Sequence, residues 1–135
     1  MEIFLAAVGE YLGRVGAETT IDLYADFEIT DPEPQRLFDE MRQDASVQAK
    51  SANAGRRRGD PYMGVPLDLT SDKGITYFSR LAHRTIGCES VLKNRVIFST
   101  VENERIVLMG IPDQEVEALE SKAREAGATT LSRVA

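Results

Sequence analysis

Residues 19–30 read Thr19-Thr20-Ile21-Asp22-Leu23-Tyr24-Ala25-Asp26-Phe27-Glu28-Ile29-Thr30, and this stretch decides the fold class. Ile21, Leu23, Ala25, Phe27 and Ile29 fall on one side, while Thr20, Asp22, Tyr24, Asp26, Glu28 and Thr30 fall on the other. A side-chain period of two belongs to an extended strand with one face toward a core and one toward water. Its flanks are helical. Upstream, Ile3, Phe4, Ala7, Val8, Tyr11, Leu12 and Val15 recur at spacings of three and four. That is an amphipathic stripe, although Gly9 and Gly13 weaken it and a strand over residues 2–8 is the alternative. Downstream, Asp31-Pro32 supplies an N-cap and a first-turn proline, and Leu37, Phe38, Met41 and Ala45 form the apolar stripe of a second helix.

Further along, residues 51–61 (Ser51-Ala52-Asn53-Ala54-Gly55-Arg56-Arg57-Arg58-Gly59-Asp60-Pro61) have no apolar period and predict an exposed, mobile basic loop. Met63, Val65, Leu67 and Leu69 alternate again, but Pro66 cannot donate to a ladder, so this reads as an edge strand. Thr70-Ser71-Asp72 can cap a helix with Ile75, Phe78, Leu81, Ala82 and Ile86 on its apolar side and Gly87 at its end. Arg95–Val101 and Arg105–Ile111 read as a hairpin around Glu102-Asn103-Glu104. Pro112-Asp113 opens a helix bearing Val116, Leu119, Ala123 and Ala126, and Thr129–Val134 is a final short strand. The order α-β-α-β-α-β-β-α-β predicts the α+β class, with a single mixed or antiparallel sheet covered by helices. It is compatible with a ferredoxin-like split βαβ plait carrying an extra N-terminal helix. That topology licenses no function by itself.

With 135 residues, 42% hydrophobic and 28% charged, residues 1–135 read as one domain able to form a core without metal or disulfide staples. One cysteine cannot make an internal disulfide. The start, Met1 to Val8, has no basic n-region and too short an apolar run for a signal peptide or a membrane span, so the expectation is cytoplasmic. The net charge of −6 hides a pattern. Residues 1–35 carry one Arg against eight Asp and Glu, and residues 36–95 carry eleven Lys and Arg against seven acids. Either the two regions neutralise each other, within one chain or between subunits, or the basic middle receives an anion.

No motif fixes a reaction, and the expected cofactor and metal sets are both empty. The one nucleophile and base in sequence proximity are Cys88 and His83, which could act together only if the thiol were accessible and its pKa lowered. Asp22, Asp26 and Glu28 could offer oxygens to a hard cation, or simply solvate a strand face. Arg56, Arg57 and Arg58 between Gly55 and Gly59 match no phosphate-loop fingerprint, yet their guanidiniums can grip phosphate or carboxylate, with Arg42, Lys50, Arg80, His83 and Arg84 as neighbours. The expected ligand-binding set is Arg56, Arg57, Arg58, Arg80 and Arg84. A nucleic-acid role is disfavoured by the acidity and a membrane role by the lack of a basic amphipathic helix. The reading is therefore a non-enzymatic binding or assembly module that holds a protein partner or small anionic ligand. Self-association is expected because the long strand and the apolar N-terminal stripe offer edge and hydrophobic surface. The alternatives are a small enzyme using the Cys/His pair on a polar or phosphorylated substrate, and a nucleic-acid-associated factor.

Overall fold

The computed structural model describes residues 1–25, 29–51, 62–101 and 105–128. Within them run α1 (Glu2–Val15), β1 (Glu18–Ala25), α2 (Pro32–Ser51), β2 (Val65–Leu67), α3 (Asp72–Leu81), β3 (Thr85–Leu92), β4 (Arg95–Val101), β5 (Arg105–Leu108) and α4 (Asp113–Glu125). The strands form one sheet in the order β2-β1-β3-β4-β5. Every neighbouring pair is antiparallel, so the fold is α+β with an antiparallel sheet. A split βαβ unit joins two parallel strands through a helix with a third, antiparallel strand between them, and β2, α3 and β3 are arranged in this way around β1. Here β2 returns antiparallel along one side of β1, and β3, β4 and β5 form a meander on the other.

The register separates two faces. Leu67, Thr19, Ser90, Phe98 and Leu108 stand opposite one another across all five strands and face the helices, all but the half-buried Leu108 being buried. Thr19 and Ser90 are polar members of this row, and their hydroxyls satisfy each other at 2.7 Å. The next row, Pro66, Thr20, Glu89, Ser99 and Val107, lies on the opposite face, which is helix-free among the described residues, each residue partly or largely exposed. On the covered face α1 packs against both α3 and α4, and α2 packs against α3 and β1. Leu5, Val8 and Leu12 of α1 and Phe78 and Leu81 of α3 are fully buried, with the Phe78 and Phe98 rings 5.1 Å apart between α3 and β4. Two glycines permit this packing. A Cβ at Gly13 would fall 2.3 Å from the Leu69 carbonyl oxygen, and one at Gly74 would fall 1.8 Å from that of Asp68. The residue that weakens α1 as a helix is thus the one that lets it reach the chain leaving β2.

Three expectations are corrected. Helix α3 stops at Leu81 rather than Gly87, and Thr85–Leu92 is a strand, β3, lying between β1 and β4. Its core-facing residues include Cys88 and Ser90 rather than large aliphatics, and the turn that follows uses Lys93 and Asn94 at φ 52° and 64° without a glycine. Strand β1 ends at Ala25, with Ile29 and Thr30 outside the sheet and Asp26, Phe27 and Glu28 outside the described residues. Furthermore, β1 is an interior strand paired on both sides, and the apolar stripe of α1 is buried within the chain. The two surfaces from which self-association was expected are therefore covered internally. The basic segment lies outside the described residues apart from Ser51, as does the expected strand at 129–134. No helix among the described residues is long and apolar enough to cross a membrane.

Candidate functional site

Arg80 sits in the last turn of α3 and Arg84 follows four residues later, on the side that faces the start of α1. Both converge on Glu2: Arg84 Nη1 donates to Oε1 at 2.7 Å, and Arg80 Nη1 donates to Oε2. Arg84 Nη2 also donates to Asp31 at 3.3 Å, and Arg80 Nε lies 3.6 Å from Glu33. Burial pushes the Glu2 carboxyl upward, but the hydrogen bonds and charges of Arg84 and Arg80 outweigh it and hold the pKa below the usual carboxylate value. A carboxylate in the first turn of α1 is favoured by the helix dipole as well. The acidic first quarter and the basic middle thus meet inside one molecule. Arg80 and Arg84, two of the five expected ligand-binding residues, are engaged by three carboxylates. Arg56, Arg57 and Arg58 lie outside the described residues.

The thiol and the imidazole are not brought together as a reactive pair. His83 Nε2 lies 2.8 Å from Arg84 Nη1, at the edge of the ion-pair cluster. Cys88 is on β3 and only 4% exposed. Burial first, then the negative charges of Asp22 and Glu89, push its thiol far above the ordinary cysteine pKa. A nucleophilic cysteine needs the opposite environment, namely a nearby cation and access to solvent.

Asp22 also has a structural occupation. Its Oδ1 accepts the Gly64 N–H at 2.8 Å, tying β1 to the turn that leads into β2. It borders an open polar hollow of about 300 Å³ on the helix-free face, with Thr20, Glu89 and Ser99. Among the described residues no group of three or more His, Cys, Asp or Glu side chains could hold a metal ion. A second hollow, about 210 Å³, lies between α2, β2 and α3. There Tyr77 and Lys73 both turn to Glu40, the phenol donating to Oε1 and the ammonium lying 3.4 Å away. The Tyr77 hydrogen bond, then Lys73, hold the Glu40 carboxyl below its usual pKa.

Arg42 is different. It lies on α2 one turn after Phe38, and its guanidinium carbon stands 5.6 Å from the Phe38 ring centre, 4.7 Å from that of Tyr62 and 6.0 Å from that of Tyr24. Tyr62 is held beside β1 because Leu23 N–H donates to its carbonyl at 2.6 Å. The Tyr24 and Tyr62 rings meet edge to face, with centroids 5.9 Å apart. Three parts of the chain therefore close around one cation: α2, β1 and the residue that follows the basic segment. Arg36 and Lys73 pair with Glu40, and Arg80 and Arg84 pair as above. Arg42 has no carboxylate partner among the described residues, and its Nε is buried without a hydrogen-bond acceptor. Ring faces hold a guanidinium by its plane, which leaves in-plane donors for a bidentate carboxylate or phosphate. In the sequence Arg42 stands out only as a possible neighbour of the loop, since Tyr24 and Tyr62 reach it from eighteen and twenty residues away.

No family model, curated protein or solved structure matches the chain.

Proposed function

We propose that this protein is a non-enzymatic binding module that holds an anionic group, a carboxylate or phosphate of a small ligand or protein partner, at Arg42, with Arg56, Arg57 and Arg58 contributing from the neighbouring segment. One observation carries the reading. Arg42 is a half-buried guanidinium that three aromatic rings surround and no carboxylate neutralises among the described residues. The buried Nε, left without an acceptor, costs about 1–3 kcal/mol and marks a guanidinium that the described fold has not neutralised. Arg58 lies four residues before Tyr62, so the arginine run is tethered to this site by sequence. A cytoplasmic setting is proposed with it, because a single buried cysteine without a disulfide fits a reducing compartment.

The test is the melting temperature of the native protein, of Arg42→Gln and of the triple Arg56, Arg57, Arg58→Ser variant, with and without millimolar phosphate, pyrophosphate, citrate and mononucleotides. A ligand that binds only the folded form raises it. At least one anion is expected to stabilise the native protein, with the shift absent in Arg42→Gln and reduced in the triple variant. Absence of any shift in the native protein, or a shift that Arg42→Gln retains in full, overturns the reading.

A further inference from the structure

Among the described residues, the two edges of the sheet are built differently. The β2 edge is three residues long and contains Pro66, which has no N–H to offer, so it is blunted against further pairing. The β5 edge, Arg105–Leu108, contains neither proline nor lysine. Its register to β4 pairs Phe98 with Leu108, Ser99 with Val107 and Thr100 with Ile106, and Met109 N–H donates to the Ile97 carbonyl at 3.0 Å. Antiparallel ladders alternate between bonded and non-bonded pairs. The Met109 bond therefore makes Ser99 and Val107 a bonded pair, and it turns the N–H and C=O groups of Ile106 and Leu108 outward. On the helix-free face beside this edge, Val107 is 36% and Met109 46% exposed, two of the five large apolar side chains exposed among the described residues.

We infer that β5 is a self-pairing edge, and that a second copy of this chain adds to it antiparallel about a two-fold axis through Val107. The pattern is self-matching. Ile106 and Leu108 stand symmetrically about Val107, so a two-fold places the outward groups of Ile106 against those of the other copy's Leu108, and the reverse. Four backbone hydrogen bonds form at once and join two five-stranded sheets into one. Val107 then faces its own copy in a non-bonded pair, where Cβ atoms come within about 4.5–5.5 Å. Met109 lies on the same face as Val107, and the apolar surface of both is partly covered. A second copy suits this edge better than an unstructured peptide, because its strand arrives already ordered and four hydrogen bonds reward little ordering. Two four-residue strands bury less than the roughly 1,600 Å² of a standard interface, so the dimer is weak and concentration-dependent.

The experiment uses the full chain and does not depend on the Arg42 reading. Light scattering from low micromolar to several hundred micromolar should show mass rising toward twice that of the monomer. Val107→Lys and Val107→Glu should each remain monomeric over that range, and mixing the two should restore the dimer, since the opposite charges then face each other across the axis. Val107→Cys should form a covalent dimer on mild oxidation while Glu117→Cys, on the exposed side of α4, does not; buried Cys88 does not compete. Circular dichroism confirms that each variant is folded. A native chain that stays monomeric, or a dimer that both charged variants retain, overturns the inference. So does a Val107→Cys protein that crosslinks no faster than Glu117→Cys.

Discussion

Arg84 and Arg42 belong to the same basic stretch of sequence, yet the molecule uses them in opposite ways. Arg84 is 22% exposed and gives its donors to Glu2 and Asp31, two residues of the acidic first quarter. Arg42 is likewise half-buried, but its surroundings are Tyr24, Phe38 and Tyr62. The α3–β3 corner around Arg84 is therefore electrostatically closed, whereas among the described residues the α2–β1 corner around Arg42 is open. Formal charge along a chain says little about where an anion can bind, because the charge that matters is what remains after the fold has paired its own groups.

The largest expected effect concerns β3 just beyond the closed corner, where Cys88 lies. If it holds no reactive site, Cys88 must be reached through unfolding, because the thiol is buried and its environment is acidic. With ordinary domain stability, labelling by a thiol reagent at neutral pH should be at least about a thousandfold slower than for a free thiol, and denaturant should abolish the protection. Rapid stoichiometric labelling of the native protein would restore Cys88 and His83 as a reactive pair and break the contrast.

The next effect compares the two arginines directly. Arg84→Ala leaves the partly buried Glu2 with Arg80 alone, and it strips Asp31 of its partner. Stranding carboxylates in this way should cost about 1–2 kcal/mol in urea unfolding. Arg42→Gln strands no carboxylate among the described residues and gives up ring packing, so its cost should stay below about 1 kcal/mol. Equal losses would mean that Arg42 is as structural as Arg84.

How much of this was legible in the sequence depends on how far apart the deciding residues lie. Strand β1 could be read from its own alternation, and the helix stripes from theirs, because each pattern is local. Strand β3 could not. Its core side includes Cys88 and Ser90, and Ser90 is tolerated there only because Thr19, seventy-one residues away, answers its hydroxyl. Ala82 and Ile86 also prolong the helical spacing of α3 into it. The charge segregation was visible, and so was the prospect that it neutralises itself, but choosing between pairing and binding required knowing that α1 begins beside the end of α3. The self-association expected from β1 failed as an argument for a similar reason: strand length is local, while edge position belongs to the whole sheet.

The smallest expected effect sharpens the closed corner through pH. Glu2 has its folded pKa held below the ordinary value of 4.5 by Arg84 and Arg80, against the opposing pull of burial. Through the acid range the unfolded chain then binds a proton at this residue before the folded one does, so stability rises with pH there. The contribution is fully present above about pH 5 to 6 and is lost as pH falls through the folded value. Arg80 is 39% exposed, so solvent screening limits the effect, and under about 1 kcal/mol is expected from this one group. Glu2→Gln removes the titrating proton while keeping a polar side chain near both guanidiniums. Urea midpoints from pH 3 to pH 7 should therefore fall less steeply toward acid in Glu2→Gln than in the native protein, with the two curves converging at the acid end. Added salt should narrow the gap at neutral pH, as screening weakens a partly exposed cluster. Parallel curves across the whole range would mean that Glu2 has the same proton affinity folded and unfolded, and that the pairing with Arg80 and Arg84 carries no net free energy.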